Sequence, residues 1–200
     1  MLSNLSQKLD PRVRRTRKLL KSAFIELMTE QGFDSLTVQD ITDRADINRA
    51  TFYAHFTDKF DLHDQMLVEW FRQQLTQYNV TSEASFCADN LRNLVFAVCD
   101  FLKQIHGGCH PADTQYKPSL ENLVQSEINA LIYDWLQSVE GIEKVDILSA
   151  SISWSIFGAS LHWSKQSTAS KEDVADTVIN LITHGLRAQC DNLPELVEIS

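Results

Sequence analysis

Between Asp46 and Asp58 the chain carries a run of hydrogen-bond donors that no carboxylate interrupts: Asn48, Arg49, Thr51, Tyr53 and His55. They alternate with Ile47, Phe52 and Phe56, which lie four or five residues apart and pack inward if the segment is helical. The polar residues are then left as an exposed row. Such a surface suits an anionic partner rich in hydrogen-bonding groups. Lys59 adds an ammonium in the first turn of a following helix that Thr57 is expected to cap, so cation and helix N-terminus can engage one phosphate together.

The elements that must hold this row lie just upstream. Thr37 and Asp40 have the spacing of an N-terminal capping box, in which hydroxyl and carboxylate satisfy backbone N–H groups that lack a partner within the helix. Val38, Ile41 and Ala45 recur at helical spacing and face inward, while Gln39, Asp43 and Arg44 face water. Asp46-Ile47-Asn48 breaks the run with residues that favour caps and turns, and a second helix follows, roughly 48–55. So short a connection makes an angled helix pair, the helix-turn-helix arrangement that presents its second helix to the major groove of DNA.

From Gly32-Phe33 to Leu62 the chain closely resembles the DNA-binding region of TetR/AcrR-type transcriptional regulators. The resemblance rests on Gly32-Phe33 ending one helix, Thr37 opening the next, Ile41 and Ala45 within it, then Thr51-Phe52-Tyr53, His55-Phe56, Lys59 and Leu62. Ala50 departs from the pattern where many members have glycine. The resemblance implies that Thr37, Tyr53, His55 and Lys59 hold phosphates and that Asn48, Arg49, Ala50 and Thr51 lie near base edges. It also implies a homodimer, paired through its last two helices as a four-helix bundle, with two recognition helices about 34–36 Å apart on double-stranded operator DNA. A small-molecule effector, bound among the remaining helices, would release the repressor from a pseudopalindromic operator.

Composition bounds the same reading. The chain of 200 residues has 44% hydrophobic content, ample for a buried core, and a net charge of −9 that is unusual for a DNA binder. That charge is unevenly placed: residues 1–60 hold 10 Lys/Arg against 8 Asp/Glu, and residues 61–200 hold 8 against 19. Attraction to phosphate is therefore local to the N-terminal part. Four scattered cysteines form no C-x-x-C pair, and neither a signal segment nor an apolar run of membrane-spanning length is present. The expected compartment is the cytoplasm, with no membrane partner.

Periodicity places a first helix from Asp10-Pro11 to about Gln31, with Arg12, Arg14, Arg15, Arg17, Lys18 and Lys21 crowding its first turns. A long helix opened by Thr57-Asp58 runs to about Tyr78, a further one is expected from a cap at Thr81-Ser82, and others follow Pro118-Ser119, residue 143 and the Ser170/Asp173 capping box. The predicted fold is all-α: a three-helix helix-turn-helix domain over 1–57, joined to a helical ligand-binding and dimerisation domain over 58–200. Small residues Ser151, Ser153, Ser155, Gly158, Ala159 and Ser160, interleaved with Trp154, Phe157 and Trp163, leave more apolar face than one neighbour covers, which points to a symmetric interface.

Other chemistries are weaker. The aromatics of residues 60–165 read as core before they read as ligand contacts, so no ligand-binding residue is singled out. His106, Cys109 and His110 supply three ligands for a soft metal in what reads as an ordinary loop, so neither metal nor cofactor is expected. No glycine-rich phosphate loop, nucleophile elbow or metal-hydrolase motif is present, and the chain is read as a non-enzyme. A second reading keeps the fold but makes the partner a protein, as in a coactivator or adaptor.

Overall fold

The Asp10 carboxylate accepts a 2.8 Å hydrogen bond from the Arg12 N–H, Pro11 fixes the first turn, and a helix follows to Gln31. It ends at Gly32, whose φ of 75° is open to a residue without Cβ. In the computed structural model, which describes residues 10–108, 117–166 and 168–187, this is α1 (Pro11–Gln31). It is followed by α2 (Val38–Ala45), α3 (Arg49–Tyr53), α4 (Lys59–Gln77), α5 (Ala88–Gly108), α6 (Lys117–Gln137), α7 (Val145–Gln166) and α8 (Lys171–Arg187). Among the described residues there is no strand, so the chain is all-α as its periodicity predicts.

Two compact units divide the chain, one running to Leu67 and the other beginning at Val68. The first is built on the stripe Leu20, Ala23, Phe24 and Leu27 of α1, packed with Phe33, Leu36, Ile41, Phe52, Phe56 and Leu62. Leu19, beside Leu20 in the chain, is exposed, because the helix turns it away from the cluster. The first turns of α4 belong to this core, with Leu62 buried and Met66 packed against it.

In the second unit α5 is central, packing against both α7 and α8. Its start differs from the expected cap at Thr81-Ser82, because residues 81–87 are not helical. The reason is tertiary: the Thr81 carbonyl accepts the Trp135 indole N–H at 2.8 Å, and Phe86 is buried as part of the loop. The Ser170/Asp173 box forms as expected, with the Asp173 carboxylate accepting from the Ser170 N–H at 2.9 Å and hydroxyl at 2.7 Å. Tyr78 just beyond α4, Asp100 of α5 and Lys171 of α8 meet in one cluster, where the Lys171 ammonium donates to Asp100 at 2.9 Å and to the Tyr78 oxygen at 3.0 Å. Burial pushes the Cys99 thiol up to about 11, which makes it an inert core residue.

One titratable group sits in the first unit's core. His63 on α4 lies with its ring 5.7 Å from that of Phe24 and 5.1 Å from that of Phe33, and burial drives its imidazole down to about 4 from the ordinary 6.5. The folded state thus excludes a proton that the unfolded chain takes up below about pH 6.5. Stability present above that pH should be lost progressively as pH falls toward 4, by an amount on the order of 3 kcal/mol. Urea unfolding at pH 7 and pH 5 should show a larger acid loss in wild type than in His63→Leu; equal losses would remove His63 as the cause.

Candidate nucleic-acid interface

The helix pair is fixed locally at both ends. The Thr37 hydroxyl accepts from the Asp40 N–H at 3.2 Å, while the Asp40 carboxylate accepts from the Thr37 N–H at 2.9 Å and hydroxyl at 2.6 Å. These bonds from Thr37 hold the Asp40 carboxyl below its ordinary range. At the other end Asp46 takes the left-handed conformation, φ 54° and ψ 47°, and the Ile47 N–H reaches back to the Thr42 carbonyl at 3.0 Å. That closure stops α2 and turns the chain at once into α3. Arg44 fastens α2 to α1 through Glu30, at 2.6 and 2.9 Å, and Glu26, at 3.2 Å.

Phe52 and Phe56 of this segment are buried, their rings 5.7 Å apart, and Ile47 packs against the same cluster. Asn48, Arg49, Ala50, Thr51 and Tyr53 are exposed, as is Thr37, and His55 is half-buried. The row read from the sequence is therefore brought to one surface. Within it Asn48 is the cap of α3, its side-chain oxygen accepting from the Ala50 N–H at 2.8 Å. Its amide N–H₂ remains for an outside partner. Arg49 and Tyr53, one helical turn apart, share a face, with the guanidinium 5.9 Å from the ring and 3.4 Å from the hydroxyl.

Lys59 departs from the expected placement. Its ammonium donates to the carbonyls of Phe33 at 3.0 Å, Asp34 at 3.2 Å and Leu36 at 2.8 Å, so all three donors point to the turn between α1 and α2. The α4 start also differs. Asp58, and not Thr57, supplies the capping oxygen, accepting from the Asp61 N–H at 2.8 Å, while the Thr57 N–H donates to Asp61. A carboxylate takes up this helix start because it is the better acceptor and stands one residue nearer.

Of the basic residues at the start of α1, Arg12, Arg14, Arg15 and Lys18 are exposed. Arg17 is instead turned inward, its guanidinium 4.7 Å from the Phe56 ring and hydrogen-bonded to Gln65. Sequence reasoning singled out the basic cluster but missed this division, since nothing in the spacing marks Gln65 as a partner. Among the described residues no group of three or more His, Cys, Asp and Glu is placed to hold a metal. Cys109, His110 and the His106 side chain lie outside the described residues. Among those residues, too, no helix is long and apolar enough to cross a membrane.

Residues 20–66 match the bacterial regulatory proteins of the tetR family. The HTH-type transcriptional regulator YxbF of Bacillus subtilis (strain 168) is 40% identical over 62 residues, which are 30% of this chain and 16% of that protein. In YdeS of the same organism, also an HTH-type transcriptional regulator, identity is 41% over 49 residues, 24% of this chain and 25% of the relative. The chain thus spans no more than about a quarter of the length of either. A TetR-family regulator from Streptomyces coelicolor A3 has the same fold, with a TM-score of 0.61 at 15% identity over 88% of this chain and 97% of that one. The helix-turn-helix that these matches cover is the one described above, and over residues 20–66 it is similar to the tetR family of bacterial regulatory proteins.

Proposed function

We propose that the protein is a homodimeric, sequence-specific DNA-binding transcriptional regulator, a repressor that a small-molecule effector releases from a pseudopalindromic operator. The observation that carries this reading is the exposed row on α3, free of carboxylates and anchored by Phe52 and Phe56 on a helix-turn-helix similar to this family's. Arg49 and Thr51 read base edges, with the Asn48 amide beside them, and Ala50 allows close approach to the duplex. Thr37, Tyr53 and His55 hold phosphates, joined by exposed arginines at the start of α1. The change of role falls at 57/58, where residues 1–57 bind DNA and residues 58–200 bind effector and partner.

Pairing is supported by the outer face of α7 and α8. Ile147 and Leu181, 59% and 65% exposed, line an open groove of about 730 Å³, and Trp154 of α7 is 52% exposed, large values for such side chains. Gly158 of α7 and Gly185 of α8 face open space, since a Cβ built on either meets no atom within 4 Å. A second copy laid on this face covers the apolar groups and brings the two helix pairs close. Effector binding acts through α4, which runs from one unit into the other, and requires a differential affinity of about 1–3 kcal/mol for the two arrangements.

On DNA from immediately upstream of the gene, fluorescence anisotropy should show Arg49→Ala losing about 1–3 kcal/mol while binding to scrambled DNA changes little. Equal losses on both DNAs would sink the base-reading role. Leu181→Glu should shift sedimentation from dimer to monomer at micromolar concentration. A dimer that persists would move the interface elsewhere.

A further inference from the structure

The turn between α1 and α2 directs three backbone carbonyls at one point. Gly32, at positive φ, lets the chain reverse there, and the Leu36 N–H closes on the Phe33 carbonyl at 3.2 Å. The carbonyls of Phe33, Asp34 and Leu36 then converge on the Lys59 ammonium, within 2.8 to 3.2 Å. An ammonium has three N–H donors, and here each meets an acceptor. The Phe33 ring, 4.7 Å away, and the Phe60 ring, 5.4 Å away, add their faces to the cage.

A second cation holds the same helix at a separate point. Arg17 of α1 donates to the Gln65 side-chain oxygen, the Gln65 amide donates to Asp61 at 2.8 Å, and Asp61 accepts the Thr57 N–H at 2.8 Å. The first two turns of α4 are thereby tied to α1 by Arg17 and to the α1–α2 turn by Lys59. To reach a phosphate, Lys59 would give up charge-assisted bonds and strip a carbonyl of its donor, for a contact of similar strength to the one lost.

We propose that Lys59 is a positioning residue. Its ammonium fastens the first turn of α4 to the α1–α2 turn, and so fixes the angle at which Thr37 and the helix-turn-helix are carried, instead of neutralising a phosphate. Arginine is no substitute, because a planar guanidinium cannot aim donors at three carbonyls that converge on one point. The consequence for DNA rests on the DNA-binding reading above; the cage itself does not.

The test has two arms on the full chain. Without DNA, limited acetylation followed by mass spectrometry should modify Lys59 more slowly than the exposed Lys18 of the same unit; equal rates would overturn the cage. With upstream DNA, at a temperature where circular dichroism finds each variant folded, Lys59→Met and Lys59→Arg should both bind at least about tenfold more weakly than wild type. The slope of log affinity against log salt should stay that of wild type in Lys59→Met. A slope reduced by about 0.9 in Lys59→Met, with affinity restored in Lys59→Arg, identifies a phosphate contact and overturns the proposal. Wild-type affinity in both folded variants overturns it too, leaving Lys59 a role in folding alone. Wild-type protein without salt-dependent binding to any DNA defeats the DNA-binding reading, and the acetylation ratio then still decides the cage.

Discussion

A helix of five residues has no stability of its own. Isolated helices shorter than about 12 residues are marginal in water, yet α3 spans only Arg49–Tyr53. What holds it is the burial of Phe52 at 0% and Phe56 at 2% exposure, each contributing about 1.5–3 kcal/mol. Together with the left-handed Asp46 upstream and the α4 start downstream, these two rings define where every exposed group of the segment points. The residues that face a partner are thus held by the residues between them, and the core of the first unit is the scaffold of its surface.

Much of this was legible because it is local. The Thr37/Asp40 and Ser170/Asp173 boxes join residues three apart, and both form. Pro11 after Asp10 opens α1, and the break at Asp46 ends α2, as short-range chemistry requires. The alternation of Phe52 and Phe56 with polar neighbours likewise sorted buried from exposed correctly. What escaped has distant partners. Lys59 reaches carbonyls 23 to 26 residues back, and a carbonyl has no letter of its own in a sequence. Arg17 meets Gln65 across 48 residues, and Thr81, which reads as a helix cap, is engaged by an indole 54 residues on. In each case a residue with a plausible local role is claimed by a tertiary one.

The same distinction bears on charge. Counting residues gives the N-terminal part a small positive excess, but counting does not separate cations by what they face. Arg44 is matched by Glu26 and Glu30, and Arg17 and Lys59 are turned to the protein. Apart from the paired Arg44, the exposed cations among the described residues of this unit are therefore Arg12, Arg14, Arg15, Lys18 and Arg49, a narrower set than the composition implies. Because charges more than about 8 Å apart are largely screened at physiological salt, such local placement outweighs the net −9 of the whole chain.

Helix α5 carries a different kind of constraint. None of its residues from 91 to 102 is exposed, and Leu91, Leu94, Val95, Ala97, Val98, Cys99, Phe101 and Leu102 are all buried. A close-packed interior leaves such a helix no side on which volume can change freely. Over evolutionary time its sequence should drift by paired exchanges, one residue growing as a facing one on α7 or α8 shrinks, while exposed positions change singly. Its amides should also be among the last in the second unit to exchange with solvent, making α5 the slow clock against which the opening of every other helix there is timed.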